Sequence, residues 1–217
     1  MKELKLIDRV ELFPDWLFFV LLLSVVIVTV VKFIRPSVFL NLSATLIKPP
    51  STIPYSRTNL SFLGGTNWLF IFNYFIISGL TVFMIMLYHG EVNYWWIILP
   101  VCYYTYQVLG LLFIGVISGE LKKLTDNVLL LNFTHHIIGL LFLPILFIWI
   151  LNSHLSSYIY TIILIIFILF WSLRIIRGIL FAFKAKILWY YIILYLCGLE
   201  IWPLVAIYMF LPADSIR

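Results

Sequence analysis

The chain is poor in charge and in everything a water-soluble domain needs. Only 14 of its 217 residues are Lys or Arg and 9 are Asp or Glu, against 64% hydrophobic residues, whereas soluble domains carry about 25% charged and 45–50% apolar residues. A water-soluble globule is excluded. Cysteine is nearly absent: Cys102 and Cys197 each sit inside an apolar run, so neither a disulfide framework nor a thiolate metal site is available. A basic domain and a nucleic-acid motif are also missing, which leaves the formal charge of +5 to be read as membrane orientation rather than nucleic-acid binding.

What is present is apolar sequence in long runs. A spanning helix needs about 20 mostly apolar residues, and six segments qualify: 16–34, 68–88, 94–117, 128–151, 158–180 and 187–211. Phe, Leu and Ile run unbroken for several turns, without the ten-residue alternation of a barrel strand. The expected fold is all-α, one domain over 1–217, an integral bundle of six transmembrane helices. The first run follows Lys2, Lys5 and Arg9, but Glu3, Asp8, Glu11 and Asp15 dilute that charge and no A-x-A site follows Val31, so it reads as an anchor and not a signal peptide.

Orientation follows from the cations. Loops after the first, third and fifth helices hold Lys32, Arg35, Lys48, Arg57, Lys122, Lys123, Arg174, Arg177, Lys184 and Lys186; the other side holds Lys2, Lys5, Arg9 and Arg217. Ten against four places the first set in the cytoplasm and both termini in the periplasm of a bacterial inner membrane. Trp16, Trp68, Trp95, Trp96, Trp149 and Trp189 fall near helix ends, the headgroup level favoured by amphipathic rings. The cytoplasmic loop 35–67 contains Pro36, Pro49, Pro50 and Pro54, and within it Val38, Phe39, Leu42 and Leu46 keep helical spacing, which predicts a short helix on the membrane surface.

Polar groups at membrane depth cost about 2.5–3.5 kcal/mol for a central charge on insertion scales, so they mark candidate sites. Glu200 lies near the middle of the sixth run, beside Gly198 and Pro203, and must be protonated, paired or wet. Arg174 is deeper than Arg177 in the fifth run and is the expected partner of Glu200. Arg177, Lys184 and Lys186 lie where they reach anionic lipid headgroups. On the fourth helix Asn132, His135, His136 and Gly139 share one face, and on the third Tyr103, Tyr104, Gln107, Gly110 and Ser118 share another. Pro100, Pro144 and Pro203 are expected to bend their helices. Adjacent histidines point about 100° apart, and His89 and His154 lie at the opposite edge, so neither a metal nor a haem, nor any other cofactor, is expected. No motif of a serine hydrolase, zinc protease or nucleotide-binding enzyme is present.

The run Arg174-x-x-Arg177-Gly178, followed by Tyr195-Leu196-Cys197-Gly198-Leu199-Glu200-Ile201-Trp202-Pro203-Leu204, resembles the closing signature of a domain of unknown function found in multi-pass inner-membrane proteins of Bacteroidota. Asn132, Gly139 and Pro144 fit the same pattern, although Gly198 stands where that family more often has Thr. The resemblance implies a location and no activity. On sequence alone the favoured role is a structural or interaction subunit of a membrane assembly, with lipid and membrane-protein partners and no nucleic acid. The alternative is a small proton- or ion-coupled carrier using Glu200 and the polar faces of helices three and four. An intramembrane enzyme comes third.

Overall fold

A computed structural model describes residues 13–36, 39, 65–90, 93–119, 121–184, 190, 193, 196–202 and 205, with the backbone alone at 118, 121–126, 181–182, 184 and 199–200. The described residues form helices α1 (Trp16–Ile34), α2 (Gly65–Tyr88), α3 (Leu99–Ser118), α4 (Leu121–Leu151) and α5 (Ser156–Lys184). Short 3-10 turns at Tyr94–Ile98 and Ser153–Leu155 lead into α3 and α5, and a π-helical turn covers Leu196–Ile201. Five of these helical stretches are long and apolar enough to cross a membrane. The sixth expected span, 187–211, lies largely outside the described residues, as does most of loop 35–67. Phe39 is the described member of its expected surface helix, and its ring meets Phe70 edge-on at 5.9 Å.

Several features differ from the sequence reading for local reasons. The connection expected at 119–127 is mostly helix, because α4 begins at Leu121: Lys122, Lys123 and Asp126 interrupt the apolar run but are good or tolerable helix formers. Helix α5 likewise runs on to Lys184, into the expected connection 181–186. Pro100, expected to bend a helix, falls in the first turn of α3, where an amide has no intrahelical partner to lose. Pro144 lies inside the uninterrupted α4; Pro203 lies outside the described residues.

Helix α2 is the centre of the bundle. Sixty-seven per cent of its spanning window is buried inside the protein, against 17% for α5 and 22% for α1. Two glycines let neighbours approach it closely. A Cβ at Gly79 would stand 2.9 Å from the carbonyl oxygen of Ile97, and one at Gly139 would stand 3.1 Å from Tyr74 Cα; both contacts are with backbone, so a side chain at either position would push the neighbouring element away.

At one end of the bundle, aromatic rings tie the helices together. Phe13 and Tyr88 pack on Trp149, Tyr88 also on Tyr160, Trp16 on Phe83, and Phe83 on Tyr94. Trp149, expected at headgroup level, is instead fully buried, because its Nε1–H donates to Ser156 Oγ at 3.0 Å across the α4–α5 hairpin. Enclosure by protein is open to a tryptophan whose one donor finds a partner. Apolar residues are exposed along the outer helices: Leu109, Phe113 and Val116 on α3 and Ile165, Ile168 and Ile176 on α5, as lipid-facing positions should be. Cys102 and Cys197 are exposed free thiols.

A candidate polar site inside the bundle

Polar residues of α2, α3, α4 and α5 face one another inside the bundle. Asn132, His135 and His136 are buried, as is Gly139, so the polar face of α4 turns inward as its spacing predicts. Its partners are specific. Tyr104 Oη donates to Asn132 Oδ1 at 2.7 Å, joining α3 to α4. Arg174 Nη1 donates to Gln107 Oε1 at 3.0 Å, joining α5 to α3. Arg174 is 5% exposed and Gln107 is fully buried, so a cation on the fifth span is held in the protein interior and not at the lipid surface.

The two histidines serve different sides of α4. His135 Nδ1 bonds the carbonyl of Leu131 at 2.7 Å; a carbonyl only accepts, so this nitrogen carries the proton. Its ring stands edge-on to Tyr74 at 4.5 Å and to Tyr104 at 5.4 Å. His136 instead lies against Phe70 at 5.1 Å. Adjacent side chains diverge by about 100° on a helix, and here that divergence separates them into different compartments.

Tyr74, Tyr103, Thr134, His135 and Arg174 form one end of a cavity of about 290 Å³. Its other end is apolar, walled by Val82, Ile85, Met86, Leu99 and Ile163, with Ser78 and Thr81 between. The hydroxyls of Ser78, Thr81 and Thr134 donate to the carbonyls of Tyr74, Ile77 and Leu130 in their own helices. Their protons are therefore spent locally, and what they offer the cavity is acceptor capacity. The polar groups concentrate at the Arg174 end.

Several buried polar atoms near this layer have no hydrogen-bond partner among the described residues: Gln107 Nε2, Asn132 Nδ2, both ring nitrogens of His136, both amide atoms of Asn67, and Thr66 Oγ1. Each unsatisfied group costs about 1–3 kcal/mol.

Placed against the sequence reading, Arg174 meets Gln107 and shares a cavity lining with His135, Asn132 meets Tyr104, and His136 turns instead to Phe70. Arg177 is half-buried in α5, and the side chain of Lys184, with all of Lys186, lies outside the described residues. For Glu200 the backbone is part of the Leu196–Ile201 turn, and its side chain lies outside them too, so its expected pairing with Arg174 is untested. That turn is tied to α3 by Tyr106 Oη, which donates to Gly198 O at 2.8 Å.

The sequence reading placed α2 but missed its polar face. Asn67, Tyr74, Ser78 and Thr81 are buried there, and their spacing of seven, four and three puts them on one helical face, a signal available in the sequence. Asn73 was missed as well; it faces α1, where Ser24 donates to its Oδ1.

A family model described as Domain of unknown function (DUF4271) matches residues 17–211, most of the chain and every element described above, and the chain belongs to that family. No curated protein and no solved structure matches it.

Proposed function

We propose that this member of the DUF4271 family is a small carrier or binding protein that handles a solute inside the membrane, with the polar layer around Arg174 as its working site. One observation supports this reading: a buried cation, Arg174, bonded to Gln107 on α3, shares with Tyr74, Tyr103, Thr134 and His135 the lining of a cavity between α2, α3, α4 and α5. For a purely structural bundle such a layer is a poor choice. An interhelical polar contact in a membrane contributes only about 0.6 kcal/mol on average, less than one stranded amide costs, so apolar packing would serve a scaffold better. Ionisable residues at membrane depth belong instead to substrate and proton paths.

The reading keeps the carrier alternative but moves its centre from Glu200 to Arg174 with His135. We also place the chain in a bacterial inner membrane with both termini periplasmic, on the distribution of Lys and Arg. The experiment is native mass spectrometry of the full chain released from nanodiscs, comparing wild type with Arg174→Met and with Val82→Trp, which fills the apolar end of the cavity. Retention of a small molecule by wild type and its loss from both variants supports a solute site. Equal spectra from all three refute it.

A role as an assembly subunit is the second reading, favoured by the broad exposed apolar faces of α3 and α5. A stoichiometric protein partner recovered from native membranes, with no retained small molecule, would establish it instead.

A further inference from the structure

Resting on the reading above, we propose that the cavity takes a neutral single-chain amphiphile, a hydrocarbon chain ending in a hydroxyl, with the hydroxyl donating to His135 Nε2 and the chain lying along α2 toward Met86. The lining of α2 extends from Tyr74 to Met86, about 18 Å at 1.5 Å per residue, and that of α5 from Ile163 to Arg174, about 16 Å. The cavity is therefore a slot along the helices, and its volume of about 290 Å³ lies at the small end of the 300–1,000 Å³ typical of ligand pockets. One chain fits and a two-chain lipid does not. The walls are apolar over nearly their whole length, so most of the occupant must be hydrocarbon: Val82, Ile85, Leu99, Ile163 and Leu164 offer dispersion contacts and nothing for a polar group.

His135 sets the character of the polar end. Its Nδ1 donates to the carbonyl of Leu131 at 2.7 Å, and the rings of Tyr74 and Tyr104, edge-on at 4.5 and 5.4 Å, hold the imidazole in place. A neutral ring protonated at Nδ1 keeps a lone pair at Nε2. That nitrogen lies on the side of the ring away from the α4 backbone, has no hydrogen-bond partner among the described residues, and belongs to a side chain that lines the cavity. Along the same slot Ser78, Thr81 and Thr134 have given their protons to backbone carbonyls and present oxygen lone pairs. These atoms ask the occupant for a donor, and a hydroxyl supplies one. A carboxylate has only acceptors, so it would set lone pairs against lone pairs and take a charge into apolar walls. Arg174 does not offset that cost, since its guanidinium is engaged by Gln107 and by further interactions.

The test uses the full chain in phospholipid nanodiscs and a dodecanol bearing a photoactivatable diazirine at its terminal carbon, with the matching dodecyl methyl ether, which lacks the donor, and the matching laurate as comparison probes. Irradiation followed by peptide mass spectrometry reads where the chain end lies, and labelling at the lipid-facing Leu109 and Phe113 corrects for how much of each probe enters the bilayer. The expected result is cross-linking at Val82–Met86 or Ile163–Leu164, about fivefold stronger for dodecanol than for its ether or for laurate, and lost in Val82→Trp. His135→Leu should bring dodecanol down to the ether level, while His135→Gln, whose amide oxygen restores an acceptor, should keep part of the preference; circular dichroism and gel filtration check that each variant is folded, and the comparison of probes on wild type stands without them. Cross-links confined to lipid-facing positions, equal labelling by dodecanol and its ether, or a preference for laurate overturn the proposal. If native mass spectrometry shows another small molecule lost on filling the cavity while dodecanol fails, the hydroxyl amphiphile falls and the solute site stands. If nothing is retained and nothing labels the cavity, both fall.

Discussion

Replacing Gly139 by alanine tests the packing that positions the polar layer. The added Cβ would stand 3.1 Å from Tyr74 Cα, 3.4 Å from Tyr74 Cβ and 3.5 Å from Tyr74 N. Carbon atoms prefer about 3.5–4.0 Å, so α2 and α4 must separate by several tenths of an ångström. No rotamer change relieves the contact, since its nearest atom is backbone in the middle of α2. Overpacking of this kind costs about 1–3 kcal/mol. Alanine gains about 1 kcal/mol over glycine in helix propensity, which offsets part of the loss, and the net expectation is a destabilisation of up to about 2 kcal/mol, growing for Gly139→Val. Reversible unfolding in mixed micelles measures it, with Leu141→Ala on the exposed side of α4 as a control that leaves this contact intact. Because the displaced residue is Tyr74, which touches His135, the same variant should also reduce retention of the bound solute. A Gly139→Val protein as stable as wild type, or more stable, would refute the close approach of α2 and α4.

Gln107→Leu and Arg174→Met should each destabilise the protein, and the double variant by less than their sum, because either single change strands a buried polar partner; a coupling of about 1–3 kcal/mol is expected from the same unfolding measurement, and additive losses would mean the bond contributes nothing. Tyr104→Phe removes the donor to Asn132 Oδ1 and should cost about 1 kcal/mol; no change in unfolding would show that the bond is not formed in the membrane. In a background lacking Cys102 and Cys197, an impermeant thiol reagent applied to intact cells should label Ser153→Cys and leave Ser51→Cys untouched, and the reverse pattern would invert the orientation read from Lys and Arg.

The pattern of residues in the chain determined the class of protein and nearly all of its described secondary structure. The hydrocarbon core demands helices that satisfy their own backbone, so the run Trp16–Ile34 was legible to the residue and the inward face of Asn132, His135, His136 and Gly139 could be read from spacing. Boundaries were missed where helix continues past the membrane, at Leu121 and Lys184, because a hydropathy reading ends with the apolar run while a backbone ladder ends only where it loses a partner. Trp149 shows the same limit: its position near a helix end suggested a headgroup, and only the packed hairpin with Ser156 made its enclosure cheaper than exposure.

Partnership was decided by tertiary structure alone. Spacing places a residue on a face, but which face of which helix it meets depends on the rotation and register of both. So Arg174 could be recognised as costly from its depth, while its bond to Gln107, 67 positions away, and the opening of a cavity beside it depend on how α3 and α5 are turned. Close approach is of the same kind. Gly139 looked like one small residue on a polar face, and the backbone that a side chain there would press against is that of Tyr74, on a helix 65 residues earlier in the chain.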